Sequence, residues 1–413
     1  MKKIVLLTFV GIVMALAFSG KSFAGEVDIL VEKLVEKGVL SHGEAQQILT
    51  ETKEEIRREL AAAEHPSVPE WVQKLKLSGD FRLRYQWQDN EQDTRSGRNR
   101  GRIRYRLGLE TMVGKTKIVA GLASGGADPR STNQTFQDTF STKGINLDYA
   151  YLQYSPFSWM TLVGGKMERK PVLWEPTDLL WDGDINPEGG AMLLSHGLDE
   201  NTELFMNSGL FVLDEEGGAS DEPWMAFVQP GVSAKLFDGK VNAKAAVTGY
   251  VIQTKGSDVD NSPNTNSLNG TDHFYDYNSV SPAFEIGVVE PFGLVPYFGL
   301  FGEYVNSFEP SDADNGFAAG IKFGDAKVSG PGKWQFKYIY RRLERDAWLD
   351  ALPDSDSYDG DTDIKGHEAI LEFGLTKNIT FGLDYYYMEP IDATVHAADD
   401  KQQVIQADLV FKF

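Results

Sequence analysis

From about residue 75 to the C-terminus, apolar and polar residues alternate with a period of two. Phe81, Leu83, Tyr85 and Trp87 interleave with Asp80, Arg82, Arg84 and Gln86, and Phe381, Leu383, Tyr385 and Tyr387 with Thr380, Gly382 and Asp384. The chain ends on the same pattern. Ile405, Ala407, Leu409, Phe411 and Phe413 take one parity and Gln406, Asp408 and Lys412 the other, with Val410 the exception. Such alternation puts successive side chains on opposite faces of a strand. A soluble sheet needs a second layer over its apolar face. In a closed membrane barrel lipid covers that face, and the polar one lines the lumen. The pattern therefore predicts an all-β fold, a transmembrane antiparallel β-barrel ending in an aromatic strand.

Sixteen candidate strands follow, at 75–88, 99–113, 116–124, 144–155, 159–168, 189–197, 202–213, 224–237, 240–254, 274–289, 294–306, 315–324, 332–346, 364–374, 379–389 and 402–413. Those near 203–213 and 294–306 alternate poorly. Connections are of two kinds. Val113-Gly114-Lys115, Phe237-Asp238-Gly239 and Thr376-Lys377-Asn378 are tight, whereas 125–143, 169–188, 255–273, 347–363 and 390–401 are long. Outer-membrane barrels sort their loops this way, with short periplasmic turns and longer extracellular loops, and an even strand count leaves both termini in the periplasm.

The first residues read differently. Lys2 and Lys3, an apolar run from Ile4 to about Phe18 and the small residues before Ser22-Phe23-Ala24 have the layout of a secretory signal, cut after Ala24. Residues 25–65 then carry helical spacing. Val27, Leu30, Val31, Leu34 and Val35 form one stripe ended by Gly38, and Ser41-His42-Gly43-Glu44 has the form of a capping box opening a second helix with Ala45, Ile48, Leu49, Ile56 and Leu60. This segment is expected to be a periplasmic coiled coil that sets oligomer state or tethers the barrel, or a self-packed helical hairpin. Residues 66–74 form a linker to the barrel at 75–413.

Composition narrows the class. The 413 residues include no cysteine, which removes disulfides and thiolate chemistry, and 12% are aromatic, which fits interfacial girdles. No later stretch offers the roughly 18 consecutive apolar residues of a membrane helix. The net charge of −21 disfavours nucleic acid as a partner. The six histidines form no metal-binding pair, and neither a nucleophile elbow nor a phosphate loop is present, so no enzyme activity is expected.

Two polar features carry the candidate chemistry. Arg82, Arg84, Arg102, Arg104 and Arg106 share the lumenal parity of two neighbouring strands. Like charges stacked this closely need water, anions or facing carboxylates, so they either line a wet pore or balance inward acids such as Asp80 and Glu110. The segment from Lys170 to Gly190 mixes Trp174 and Trp181 with Asp178, Asp182, Asp184 and Glu188. Folded into the barrel near 169–188, it would bury its tryptophans, narrow the pore and oppose the arginines with acids. Otherwise it is a loop over the mouth. A weaker pattern, Asp354, Asp356, Asp359, Asp361 and Asp363 around Gly360, offers oxygen ligands to surface Ca²⁺ or Mg²⁺ or is a solvated acidic loop. No other cofactor is implied.

The signal segment, the N-terminal helices, the strand Asp148-Tyr149-Ala150-Tyr151-Leu152-Gln153-Tyr154, the loop Asp178-Leu179-Leu180-Trp181-Asp182-Gly183-Asp184-Ile185-Asn186-Pro187-Glu188-Gly189 and the terminal Phe413 resemble the bacterial putative porin family. The resemblance implies a sixteen-stranded outer-membrane porin passing small hydrophilic solutes or ions by diffusion, commonly as a trimer. The layout is also similar to that of phosphate-selective porins, from which this chain departs in its acidic loops. The reading from a different class is a plugged barrel with a structural, adhesion or envelope-tethering role.

Overall fold

The computed structural model describes residues 41, 43–46, 50, 51, 54, 69–90, 97–215, 222–293, 295–392 and 400–413. The chain divides into two units, 1–73 and 74–413. In the first, residues 43–46 are helical. The Ser41 backbone N–H donates to Glu44 Oε2 at 2.9 Å and the Glu44 N–H to Ser41 Oγ at 3.3 Å, the reciprocal bonds of a capping box. A short helix α1 spans Glu70–Gln73. The expected leader 1–24, nearly all of the helical segment 25–65 and the first part of the linker lie outside the described residues.

The second unit is built of strands β1 (Lys76–Asn90), β2 (Arg98–Val113), β3 (Thr116–Ser124), β4 (Gln134–Thr135), β5 (Ile145–Phe157), β6 (Met160–Lys166), β7 (Glu188–Gly197), β8 (Thr202–Val212), β9 (Trp224–Leu236) and β10 (Val241–Gln253). It continues with β11 (Leu268–Asn269), β12 (Asp272–His273), β13 (Ser279–Val289), β14 (Tyr297–Ser307), β15 (Asn315–Gly324), β16 (Trp334–Leu343), β17 (Ile364–Gly374), β18 (Ile379–Pro390) and β19 (Gln402–Lys412). With the short β4, β11 and β12 set apart, sixteen strands pair antiparallel with their chain neighbours, and β1 pairs with β19 to close the barrel. Closure leaves no open sheet edge, which a strand-built membrane protein requires. Among the described residues no helix is long and apolar enough to cross a membrane.

Side chains on the two faces are sorted inside out relative to a soluble protein. In β1, Leu83 and Tyr85 are 40% and 51% exposed, whereas Arg82 and Arg84 between them are buried. The register repeats this across strands. Phe81 faces Phe411 and Leu83 faces Leu409 on the outside, while Arg84 faces Asp408 on the inside. An apolar outer face is stable only against lipid, and the inner charges are stable because they face one another.

The tight connections all fall at one end of the barrel and the long ones at the other. Phe237, Asp238 and Gly239 hold positive φ in the turn from β9 to β10, as a two-strand reversal that follows the sheet twist demands. Strand β13 begins at Ser279 rather than near 274. Asp272 and His273 instead pair back onto Leu268 and Asn269, and Tyr277 is fully buried with its N–H on the Ile252 carbonyl at 3.2 Å.

Candidate permeation site

The inner faces of β1, β2 and β19 form a basic wall laced with acids. Asp80 joins Arg104 at 2.9 Å and Arg106 at 2.7 Å, and Asp408 joins Arg84 at 2.8 Å and Arg82 at 3.4 Å. Arg84 also reaches Asp356 at 3.0 Å, and Arg82 donates to Asn133 Oδ1 at 2.6 Å. Among the described residues Arg102 bonds only neutral oxygens, Gln86 Oε1 at 3.0 Å and Ser131 Oγ at 3.2 Å. All five arginines of the series therefore stand on one wall, and facing carboxylates relieve the repulsion of four of them.

Between β6 and β7, residues 167–187 turn into the barrel and bind inward-facing side chains of distant strands. Gln229 of β9 accepts the Trp174 N–H at 3.0 Å and donates to the Trp174 carbonyl at 2.8 Å. Tyr250 of β10 donates to Glu175 at 3.2 Å, Thr177 donates to Glu303 of β14, and Arg341 of β16 pairs with Asp178 at 2.9 Å. In the other direction Asp184 accepts the Thr132 N–H at 3.0 Å and lies 3.6 Å from Arg106. The segment thus reaches across the lumen, and a membrane barrel of this width has room for it.

Its apolar residues are covered by a second connection. Leu179, Leu180 and Trp181 pack with Trp348 and Leu349 of the β16–β17 connection and with Phe211, Met225, Phe227, Tyr250 and Ile252 of the barrel wall. The Asp182 N–H donates to the Leu352 carbonyl at 2.7 Å, and the Ser355 N–H donates to Asp182 Oδ2 at 2.8 Å. Asp350, fully buried, accepts from Ser262 Oγ at 2.7 Å and the Thr265 N–H at 2.8 Å and contacts His273 Nε2 at 3.4 Å. Three long connections are thereby locked together at one end of the barrel.

The four acids proposed for the segment are placed unequally. Asp178 binds Arg341, which also pairs with Glu368 and lies 3.4 Å from Asp354. Asp182 is buried against backbone N–H groups, and burial together with neighbouring Asp184 pushes its carboxyl up to about 7. Asp184 stays well ionised, because Arg104, the Thr132 N–H and Arg106 outweigh its burial. Glu188 does not join them: it is the first residue of β7, exposed, and paired with Lys166 at 2.9 Å. The five aspartates at 354–363 do not converge. Asp354 and Asp356 turn to Arg341 and Arg84, Asp359 accepts from Gln402 at 2.9 Å, and Asp363 accepts the Asp392 N–H at 2.9 Å. Among the described residues no group of three or more acidic or histidine side chains is arranged to hold a metal ion.

Several participants escape a reading that stops at the arginine series. Asp408 and Arg341 were legible by parity, since Arg341 alternates with the outward Tyr340 and Asp408 with Leu409. Asp350, His273 and Trp348 belong to connections, where no periodicity marks a buried side chain.

Cavities remain around the inward segment, three of which bear on passage. One of about 230 Å³ lies on the long-loop side and includes Ser131, Thr132 and Asn146 in its lining. A larger one of about 560 Å³ opens toward the short-turn end past Ser78, Gly79, Arg106 and Lys412. Both are lined by Asp148, Asp184 and Asn186. The third, about 280 Å³, lies under the segment against β16 and β17.

A closed antiparallel barrel with a lipid-compatible exterior, a charged lumen and an inward-folded segment is the architecture of an outer-membrane channel. The family model described as "Putative porin" matches residues 88–287 and 302–413, and the chain belongs to that family. It is a porin, a diffusion channel of the outer membrane. Among solved structures it is similar to OprB of Pseudomonas putida at high pH, with 14% identity, TM-score 0.53 and coverage of 83% of this chain and 96% of that one. It also matches the outer-membrane channel DcaP of Acinetobacter baumannii at 12% identity and TM-score 0.47, covering 82% and 97% of the two chains. At this identity OprB supports the fold alone. No curated protein matches the chain in sequence.

Proposed function

We propose that small hydrophilic solutes cross by passing between the inward segment and the β3–β5 wall, through a gap bounded by Asp148, Asp184 and Asn186. The observation that carries this reading is the sharing of those three residues by the cavities on either side of the segment. Arg106 and Lys166 flank that gap, lining the lower and upper cavity respectively. A solute there meets both signs of charge at close range, and a transverse field of that kind favours small, well-hydrated species over apolar ones. The arginine series forms the basic wall of this route, and Asp178, Asp182 and Asp184 hold the segment opposite it. The apolar packing of the other half of the lumen leaves solutes this side of the barrel.

The remaining elements fit a secreted, trimer-forming porin. A leader removed after Ala24 delivers the chain, residues 25–65 stay in the periplasm, and copies associate as closed symmetric oligomers commonly do.

Single-channel recording in a planar bilayer under a salt gradient tests the reading. Stable current steps are expected, with the reversal potential moving toward anions in Asp148→Asn and toward cations in Asn186→Asp. An absence of steps from folded protein would refute an open pore. Steps whose reversal potential ignores both substitutions would place the route elsewhere.

A further inference from the structure

The third cavity is a side chamber rather than part of that route. It adjoins the large lower cavity, sharing Arg169, Lys170 and Gly183 with it, on the side open to the short-turn end. Its lining carries three carboxylates, and each already serves an arginine. Glu175 pairs with Arg169, while Asp178 and Glu368 both pair with Arg341. The ammonium groups of two lysines in the same lining, Lys170 and Lys337, make no hydrogen bond or ion pair with any described residue. Lys170 is open to the lumen, yet the surrounding protein and Arg169 beside it hold it below the usual lysine range, with Asp178 opposing the shift. Such a group gains most from an incoming negative charge. Apart from Gly183 and Thr177, whose hydroxyl is taken by Glu303, the rest of the wall is apolar, with Leu173, Trp174, Pro176, Ile339 and Ile370. Trp174 is fixed by both bonds to Gln229, so this wall is formed before any ligand arrives.

We infer that this chamber binds a small organic anion with an apolar body, its carboxylate held by Lys170 and Lys337 and its hydrocarbon part against Trp174, Pro176 and Ile370. Two ammonium groups supply charge-assisted donors to the anion, and the apolar wall separates such a molecule from an inorganic ion. The site deepens the channel reading and rests on it only for the access route.

Calorimetric titration of the folded, detergent-solubilised protein tests it, with benzoate as probe and benzyl alcohol as its neutral counterpart. Saturable benzoate binding is expected, at least tenfold weaker in both Lys170→Gln and Lys337→Gln, with no comparable binding of benzyl alcohol. Neither substitution breaks an existing ion pair, and the heat-dependent gel migration of each variant verifies its barrel. Equal benzoate affinity in wild type and both variants, equal affinity for benzyl alcohol, or no saturable benzoate binding would overturn the site. Bilayer recording on the same preparation keeps the two readings apart. Benzoate binding in a protein that passes no current supports the site while sinking the channel route. Current without benzoate binding overturns the site and leaves the route standing.

Discussion

The indole N–H of Trp348 donates to the backbone carbonyl of Leu180 at 2.6 Å, and both side chains are wholly shielded from solvent. Trp348 also meets Tyr250 and Trp181 edge to face, with ring centroids 4.7 and 6.2 Å away. One residue from a long connection thus pins the inward segment to the barrel wall. Trp348→Ala removes the donor and leaves a large void, at a cost of about 3–5 kcal/mol. The variant should unfold at lower denaturant and show larger, noisier current steps as the segment loosens. Quiet steps of wild-type size in a destabilised variant would show that Trp348 supports the barrel without controlling the passage.

Among the described residues Arg341 is the sole guanidinium bonded to Asp178 and Glu368, and it also reaches Asp354. Replacing it with Met strands buried carboxylates beside one another, a loss on the order of 3–5 kcal/mol. The double variant Arg341→Met with Glu368→Leu should recover part of that loss, because it removes a partner as well as the charge. A double variant no more stable than Arg341→Met in denaturant titrations would contradict an ion-pair role for Glu368.

How far the sequence reveals this arrangement depends on what covers each side chain. Strands facing lipid outside and charge inside, such as β1, announce themselves by alternation. Strand β8 alternates poorly because its lumenal Phe211 packs against Trp181 of the inward segment, and in β14 the lumenal Phe301 and Val305 do the same within that apolar cluster. Both faces are then apolar, and the period fades. The arginine wall and its Asp80 partner were legible from parity, but the rest of its balance was not: Glu110, of the same parity, pairs with Lys76 and Lys117 instead. Asp408 lies 324 residues from Arg84, and only barrel closure brings them to 2.8 Å. The acid-rich stretch at 354–363 looks like a solvated loop or a cation site until Arg84 and Arg341 are seen to occupy Asp356 and Asp354.

Asp80 bridges Arg104 and Arg106 from the opposite strand. Asp80→Asn keeps the shape and takes the carboxylate from two guanidiniums, of which Arg106 lines the lower mouth of the proposed route. Because the exposed pore mouth is screened by salt, the effect belongs at low ionic strength. The reversal potential should move toward anions in dilute electrolyte and converge on wild type in concentrated electrolyte. A shift of the opposite sign would mean that Arg106 does not face permeating ions.

Glu175 makes folding stability depend on pH. Burial pushes its carboxyl up to about 8 against an ordinary value of 4.5, with the Arg169 charge opposing the shift. The folded state therefore holds a proton that the unfolded chain has released throughout that interval. Stability falls as pH rises from about 4.5 and levels off above about 8, with a slope of at most about 1.4 kcal/mol per pH unit from this group. Asp182, raised to about 7 by burial and Asp184, contributes a slope of the same sign over a lower range. Glu175→Gln keeps an acceptor for Tyr250 without a titrating proton. Urea unfolding in lipid vesicles from pH 5 to 9 should give a flatter profile for that variant, its largest gain over wild type lying near pH 8 to 9. Parallel profiles would mean that Glu175 keeps its ordinary acidity, with Arg169 outweighing the burial.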